Sequence, residues 1–218
     1  MMSPHHLHAT AAAWSLRAAL DRLLELAAAE ARQTALERLT PACGLRSTVY
    51  GVRYGSGSHS DPVSGLLLAA DHPPHTTRWA EIGDRLHGRL EWLATMLRIY
   101  GVRDPLAGIL AALPGTLPGT AAVVAKHLAD EDTWVRNTIA LPPAQHPLIG
   151  IGCPSCGQRS LHVQSAGPQE AWTVVCTAGC VCTGQGCGCG MPGAVEGVAH
   201  IWPRSVVLGA VAGAATAA

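Results

Sequence analysis

The 218 residues leave room for one ordinary domain and a small module beside it. Their apolar fraction is 48%, much of it alanine and valine, with no phenylalanine and 4% aromatics, which predicts a thin, helix-rich core. Fifteen basic and fifteen acidic side chains cancel, so the long-range attraction that draws basic proteins to phosphate backbones is missing and nucleic acid is not the default partner. The single lysine, Lys126, set against the many arginines, together with the alanine, glycine and proline content, points to a GC-rich genome.

From the N-terminus, Trp14, Leu16, Leu20, Leu23, Leu24 and Ala27 recur at three- and four-residue steps, which predicts one long amphipathic helix ending near Pro41. Arg17, Asp21, Arg22 and Glu25 interrupt the only stretch that would serve as an export signal, so the expected location is the cytoplasm. The histidines His5, His6 and His8 read as a solvated terminal segment. Gly51 to Pro62 reads as loop, with short β-branched pieces near Val49 and Val52. In Gly55-Ser56-Gly57-Ser58-His59 the neighbouring serine and histidine form a flexible turn rather than a nucleophile elbow. Asp71-His72-Pro73-Pro74-His75 punctuates the chain.

A second helix is predicted from Trp79, Ile82, Leu86, Leu90, Leu93, Leu97 and Tyr100, stopping at Gly101 and packing on the first. Asp104-Pro105 has the pattern of an N-cap followed by proline in the first turn, opening a short helix through Leu113. Another helix is expected from about Thr120 to Ala129. Prolines 142, 143 and 147 cannot lie inside a helix, which places the boundary between a mainly helical domain, 1–145, and a cysteine-rich module, 146–204, followed by an apolar tail, 205–218. That tail falls short of the roughly 20 residues needed to cross a bilayer. The fold class is therefore α+β.

The chemistry is concentrated in that module. Seven of the eight cysteines lie between Cys153 and Cys189, while Cys43 stands apart as an ordinary buried thiol. In a reducing compartment such clustering indicates metal ligands rather than disulfides. The knuckle Cys153-Pro154-Ser155-Cys156 and the later pair Cys176 and Cys180 fit a tetrahedral Zn2+ site, with Cys182 as an alternative fourth ligand. Leu161 and Val163, a turn at Gly167-Pro168, then Trp172 to Val175 form the hairpin joining the two pairs, and Val198 to Trp202 adds a third strand. Such a zinc ribbon is too small to be stable without its ion. One ion is expected. Cys182, Cys187, Cys189 and His200 make up a second four-ligand set in principle, but C-x-C spacing is less diagnostic, and His200 reads as a half-buried core histidine in preference to a ligand.

On Cys153-Pro-Ser-Cys-Gly157, Val175-Cys176, Cys180 and an upstream helical region bearing Gly55-Ser56-Gly57 and Pro62-Val63, the chain resembles uncharacterised zinc-ribbon proteins of actinobacteria and their phages. That resemblance implies a phage-related, non-enzymatic protein. The extra Cys182, Cys187 and Cys189 depart from the minimal pattern.

Catalytic signatures fail residue by residue. There is no H-x-E for a deaminase, no H-E-x-x-H for a zincin, and Lys126 lies between Ala125 and His127 rather than in a P-loop. A site closed by four cysteines offers no coordination position to water or substrate. From Gly150 onwards Arg159 and Arg204 are balanced by Glu170 and Glu196. A protein partner met by Trp172 or Trp202 is thus preferred to nucleic acid met by Arg159 and Arg204.

Overall fold

The computed structural model describes residues 3–39, 77–191 and 193–207. Helix α1 runs Pro4–Leu39, α2 Arg78–Met96, α3 Pro105–Ala112 and α4 Pro118–Thr138. Strands β1 (Gln145–Pro147), β2 (Leu161–Gln164), β3 (Thr173–Cys176) and β4 (Ile201–Pro203) form one antiparallel sheet in the order β1-β2-β3-β4. A mainly helical N-terminal region followed by a small sheet is the α+β arrangement expected from the change of periodicity. The segments containing Cys43, Val49, Val52, the Gly51–Pro62 loop and Asp71-His72-His75 lie outside the described residues.

Two compact units share these elements: one takes the described residues up to Leu23 and from Arg85 onwards, the other is Leu24–Asp84. In the smaller unit the Thr77 hydroxyl caps α2 by accepting the Ala80 N–H at 3.1 Å, and the Arg78 guanidinium lies over the Trp79 ring. The larger unit holds both the helical core and the sheet. Ala9, Ala13, Leu16 and Ala19 of α1 share a buried core with Leu86, Leu90 and Leu93 of α2, so the expected α1–α2 pairing is present. The alanines on α1 let the backbones approach closely, and the leucines fill what remains.

Two helix ends differ from expectation. Helix α2 stops at Met96, where Arg98 takes the left-handed conformation (φ 60) and the Ile99 and Arg98 amides donate to the Ala94 and Thr95 carbonyls, each at 2.9 Å. This paired closure terminates the helix before Gly101 is reached. Helix α4 does not stop at Ala129. Its buried stripe, Val124, Leu128, Glu131 and Val135, continues to the last turn, with a paired glutamate occupying one core position. In the sequence the acidic run Asp130-Glu131-Asp132 conceals that stripe. For α3 the expectation holds: the Asp104 carboxylate accepts the Ala107 N–H at 3.0 Å with Pro105 in the first turn.

The proline cluster is more than a linker. Gln145–Pro147 pairs with β2 (Gln145↔Gln164, Pro147↔His162), and proline is tolerated there because β1 is an exposed edge. The helical core and the sheet also interlock across the expected 145/146 boundary. Leu7 of α1 belongs to the buried cluster of the cysteine module, and the His8 Nε2 bonds the Ala199 carbonyl at 3.0 Å. The Trp14 ring lies so close to Gly167 that it fills the space a Cβ there would occupy. His6 is buried too, with Nε2 3.0 Å from the Thr116 carbonyl oxygen. The first turns of α1 are therefore packed rather than solvated. Arg136 completes the joint, donating to Asp132 at 2.8 Å, to the Ser15 carbonyl at 2.9 Å and to the Pro142 carbonyl. The tail expected from 205 is described only to Val207, which is buried in the module's core.

Candidate metal centre

Local backbone geometry presents the first group of sulfurs. The Cys153 amide donates to the Gln158 carbonyl and the Cys153 carbonyl accepts from the Gly157 amide, both at 2.8 Å, around a turn that Gly157 closes with φ +70. Cys176 ends β3, and Cys180 follows one turn later. Cys153, Cys156, Cys176 and Cys180 bring their sulfurs within 4.8 Å of one another. Cys153 and Cys180 are 3.8 Å apart at Sγ, as are Cys156 and Cys176. A tetrahedron with metal–sulfur bonds of about 2.3 Å has edges of about 3.8 Å, whereas a disulfide would require about 2.05 Å. The cysteines are free thiols in an arrangement that can hold an ion.

The second group forms on the far side of Val181. Val181 bridges Ala199 in antiparallel fashion, and the Cys182 amide donates to the Val198 carbonyl at 2.8 Å. This register sets Cys180 opposite His200. Cys182, Cys187, Cys189 and His200 also bring their ligand atoms within 4.8 Å of one another. His200 is wholly buried rather than half-buried, with Nε2 3.5 Å from the Cys187 sulfur and Nδ1 3.2 Å from the Cys180 sulfur. Its ring stacks on Trp202, with centroids 5.6 Å apart. The structure thus groups Cys180 with the first set and Cys182 with the second, and His200 stands among sulfurs rather than among core aliphatics.

Backbone amides are aimed at the sulfurs in both groups. The Gly184 and Met191 N–H groups point at Cys182 and Cys189, at 3.4 and 3.5 Å. Ser155 and Ala178 amides bond the Cys153 and Cys176 sulfurs in the same two-residues-on pattern. Such donors favour the thiolate, the form that binds metals. Burial opposes ionisation of Cys176, but the Ser160 hydroxyl at 3.2 Å and donation from Cys180 bring its thiol down to about 6. Burial and that same donation push Cys180 up, and burial with the neighbouring sulfurs raises Cys153. In the second group the Thr183 backbone and hydroxyl, with His200, bring Cys187 down to about 5, while burial pushes Cys189 up to about 11. Cys176 and Cys187 are thus drawn toward the thiolate while burial holds Cys153, Cys180 and Cys189 back from it, a balance that a cation among the sulfurs would shift.

Two of the residues expected at an interaction surface sit differently. Trp202 is 1% exposed: it faces Val174 across the sheet and its indole N–H donates to the Cys189 carbonyl at 2.9 Å. Its polar tip is satisfied inside the module, which is why so large an aromatic can be core here. Trp172 is half-buried, bonding the Gly167 carbonyl at 3.0 Å, and Arg204 lies over its ring at 5.2 Å. Arg159 is exposed. The second ligand group had one trace in the sequence, four metal-binding side chains left over beyond the first knuckle pair, but bringing His200 to them depended on the Val181–Ala199 register.

A cleft of about 530 Å³ opens beside α1 and α4, lined by His8, Ser15, Asp132 and Arg136. Its Ser15 hydroxyl donates to Asp132 at 2.7 Å, and Arg136 binds the same carboxylate. A hydroxyl held by a carboxylate that is itself engaged by an arginine is a structural bond, not the hydroxyl–imidazole pair of an activated serine.

No family model matches the chain, and no curated protein or solved structure matches it. What the fold and side chains define is a class: an α+β protein whose small sheet module carries one group of four cysteines and one of three cysteines with a histidine, each able to hold a metal ion. No helix among the described residues is long and apolar enough to cross a membrane.

Proposed function

We propose that this is a non-catalytic, zinc-stabilised interaction protein that binds another protein, related to the zinc-ribbon proteins of actinobacteria and their phages that its Cys153-Pro154-Ser155-Cys156-Gly157 knuckle resembles. The observation that carries this reading is the closure of the ligand groups. Each offers four soft or imidazole donors in tetrahedral reach, the set that favours zinc and leaves no position for substrate. An ion there contributes fold stability.

Support for a protein partner comes from charge and surface. The chain has no net charge, and Arg204 is engaged with Trp172. On α2, Trp92 and Met96 are one helical turn apart and 55% and 65% exposed, a pair suited to an apolar protein contact. With Trp202 buried, the contact passes to these residues and to Trp172. Nucleic-acid binding is the competing reading, and titration of single- and double-stranded DNA and RNA at two salt concentrations separates the two. Salt-sensitive submicromolar binding lost on Arg159→Ala overturns the proposal. The expected result is no such binding, together with a cross-linked protein partner that is lost in Trp92→Ala while the metal content stays unchanged.

A further inference from the structure

We propose that the chain holds two ions of the zinc type, the second on Cys182, Cys187, Cys189 and His200 Nε2, and that His200 couples the sites by donating its Nδ1–H to the Cys180 sulfur of the first. This rests on the zinc-stabilised reading and extends it. Three independent features carry it.

The first is distance. For metal–sulfur bonds of about 2.3 Å and metal–nitrogen bonds of about 2.0–2.1 Å, tetrahedral angles require sulfur and nitrogen to lie roughly 3.5 Å apart. Cys187 Sγ and His200 Nε2 are 3.5 Å apart. The second is the amide pattern, since Gly184 and Met191 aim N–H groups at the sulfurs of this group as Ser155 and Ala178 do in the other. A loop of glycines and cysteines has no packing reason to direct amides at buried sulfur twice. The third is the orientation of His200. Its burial is complete, its face is fixed by Trp202, and its two nitrogens face one sulfur from each group. A neutral imidazole has one N–H and one lone pair. With the proton on Nδ1, it donates to Cys180 at 3.2 Å and leaves the Nε2 lone pair for the second ion.

The consequence is linkage. A ligating histidine that donates its other N–H gains basicity, and the thiolate that accepts it gains a partner for its charge, so filling either site favours the other. Trp202 serves as a positioning residue, stacking on the ring and pinning the Cys189 carbonyl.

The test uses the full chain. Native mass spectrometry and elemental analysis should find two zinc ions per molecule. Release of the first ion is read by alkylation of the exposed Cys156 during chelator challenge. In Cys187→Ser the zinc content should fall to one, with Cys156 alkylated roughly tenfold faster than in the parent chain. In His200→Cys, which keeps four ligands but lacks the imidazole bridge, two ions should remain while Cys156 is again unprotected by about tenfold. One zinc per parent chain, an unchanged count in Cys187→Ser, or unchanged Cys156 protection in both variants overturns the inference alone. A chain that folds its sheet with no zinc overturns the proposed function as well.

Discussion

The helical core and the cysteine module are filled with different materials. In the helical core, Leu16, Leu86, Leu106, Ile109 and Leu128 bury aliphatic surface with alanines between them, and removal from water is sufficient cause for the packing. In the module, Cys153, Cys176, Cys182 and Cys189 occupy buried positions beside Leu161, Val174, Ile201 and Trp202. Sulfur there takes the space that leucine takes in the helices. A sheet of three- and four-residue strands has little apolar surface with which to hold itself, and on the proposed reading ions held by the ligand groups supply the rest of its stability. The difference teaches that the two halves should respond to different challenges, even though Leu7, Trp14 and Arg136 tie them into one packed unit.

Metal removal should separate them most sharply. Structural zinc contributes on the order of 10–16 kcal/mol of apparent binding free energy at neutral pH, far more than the net stability of a small domain. A strong chelator, or Cys156→Ser, should therefore unfold the sheet while α2, α3 and α4 persist. Far-ultraviolet dichroism should stay largely helical as Trp202 fluorescence moves toward that of a solvated indole. Simultaneous loss of all helical signal would show that the joint, rather than the ion, sustains both halves.

The joint itself can be attacked at Arg136, whose side chain is 7% exposed against 15% for Asp132. Arg136→Met leaves Asp132 with Ser15 as its remaining partner and frees the Pro142 and Ser15 carbonyls, and losing one partner of a buried pair costs about 3–5 kcal/mol. Chemical denaturation should show a lower midpoint for both halves, not for the helices alone. Burial already pushes the Asp132 carboxyl up, so loss of the arginine should raise it further.

A smaller effect is expected at Gly167, where φ is +79 and the Trp14 ring fills the space of a side chain. Gly167→Ala should destabilise the protein by about 1–3 kcal/mol through overpacking and backbone strain. Because this residue links α1 to the module, a melting shift confined to the helices would contradict the interlocked arrangement.

Asp104 provides the mildest test and one with a pH signature. Burial works against its charge, but the Ala107 N–H and the Arg17 guanidinium at 2.6 Å hold its carboxyl below the ordinary range. Its contribution is therefore complete above the unfolded value of about 3.9 and is lost as pH falls through the lower folded value. Asp104→Ala should cost about 1 kcal/mol at neutral pH, with the gap between the two proteins closing in acid.

Among the elements, those whose causes are local were legible. The Asp104-Pro105 start of α3, the apolar spacing of α1 and α2, the β2–β3 hairpin and the Cys153–Cys156 knuckle all depend on residues within a few positions of each other. Where distant partners decided the outcome, the reading departed from the structure. Glu131 is accommodated in the buried stripe of α4 with Arg89 reaching its carboxylate at 2.6 Å, and no spacing within α4 announces that pairing. Trp202 is core because the Cys189 carbonyl meets its indole, and β1 forms at a proline cluster because β2 offers it an edge.

The same division runs through the metal centre. Residue type and spacing by themselves determined that this chain groups thiols able to hold a metal in a small strand-bearing module, since a C-x-x-C turn brings two sulfurs together whatever surrounds it. Only the tertiary structure decided that Cys180 and Cys182, with Val181 alone between them, serve different groups and that His200 stands between those groups. That choice follows from the Val181–Ala199 pairing, a contact between segments apart in the chain whose register no local pattern encodes.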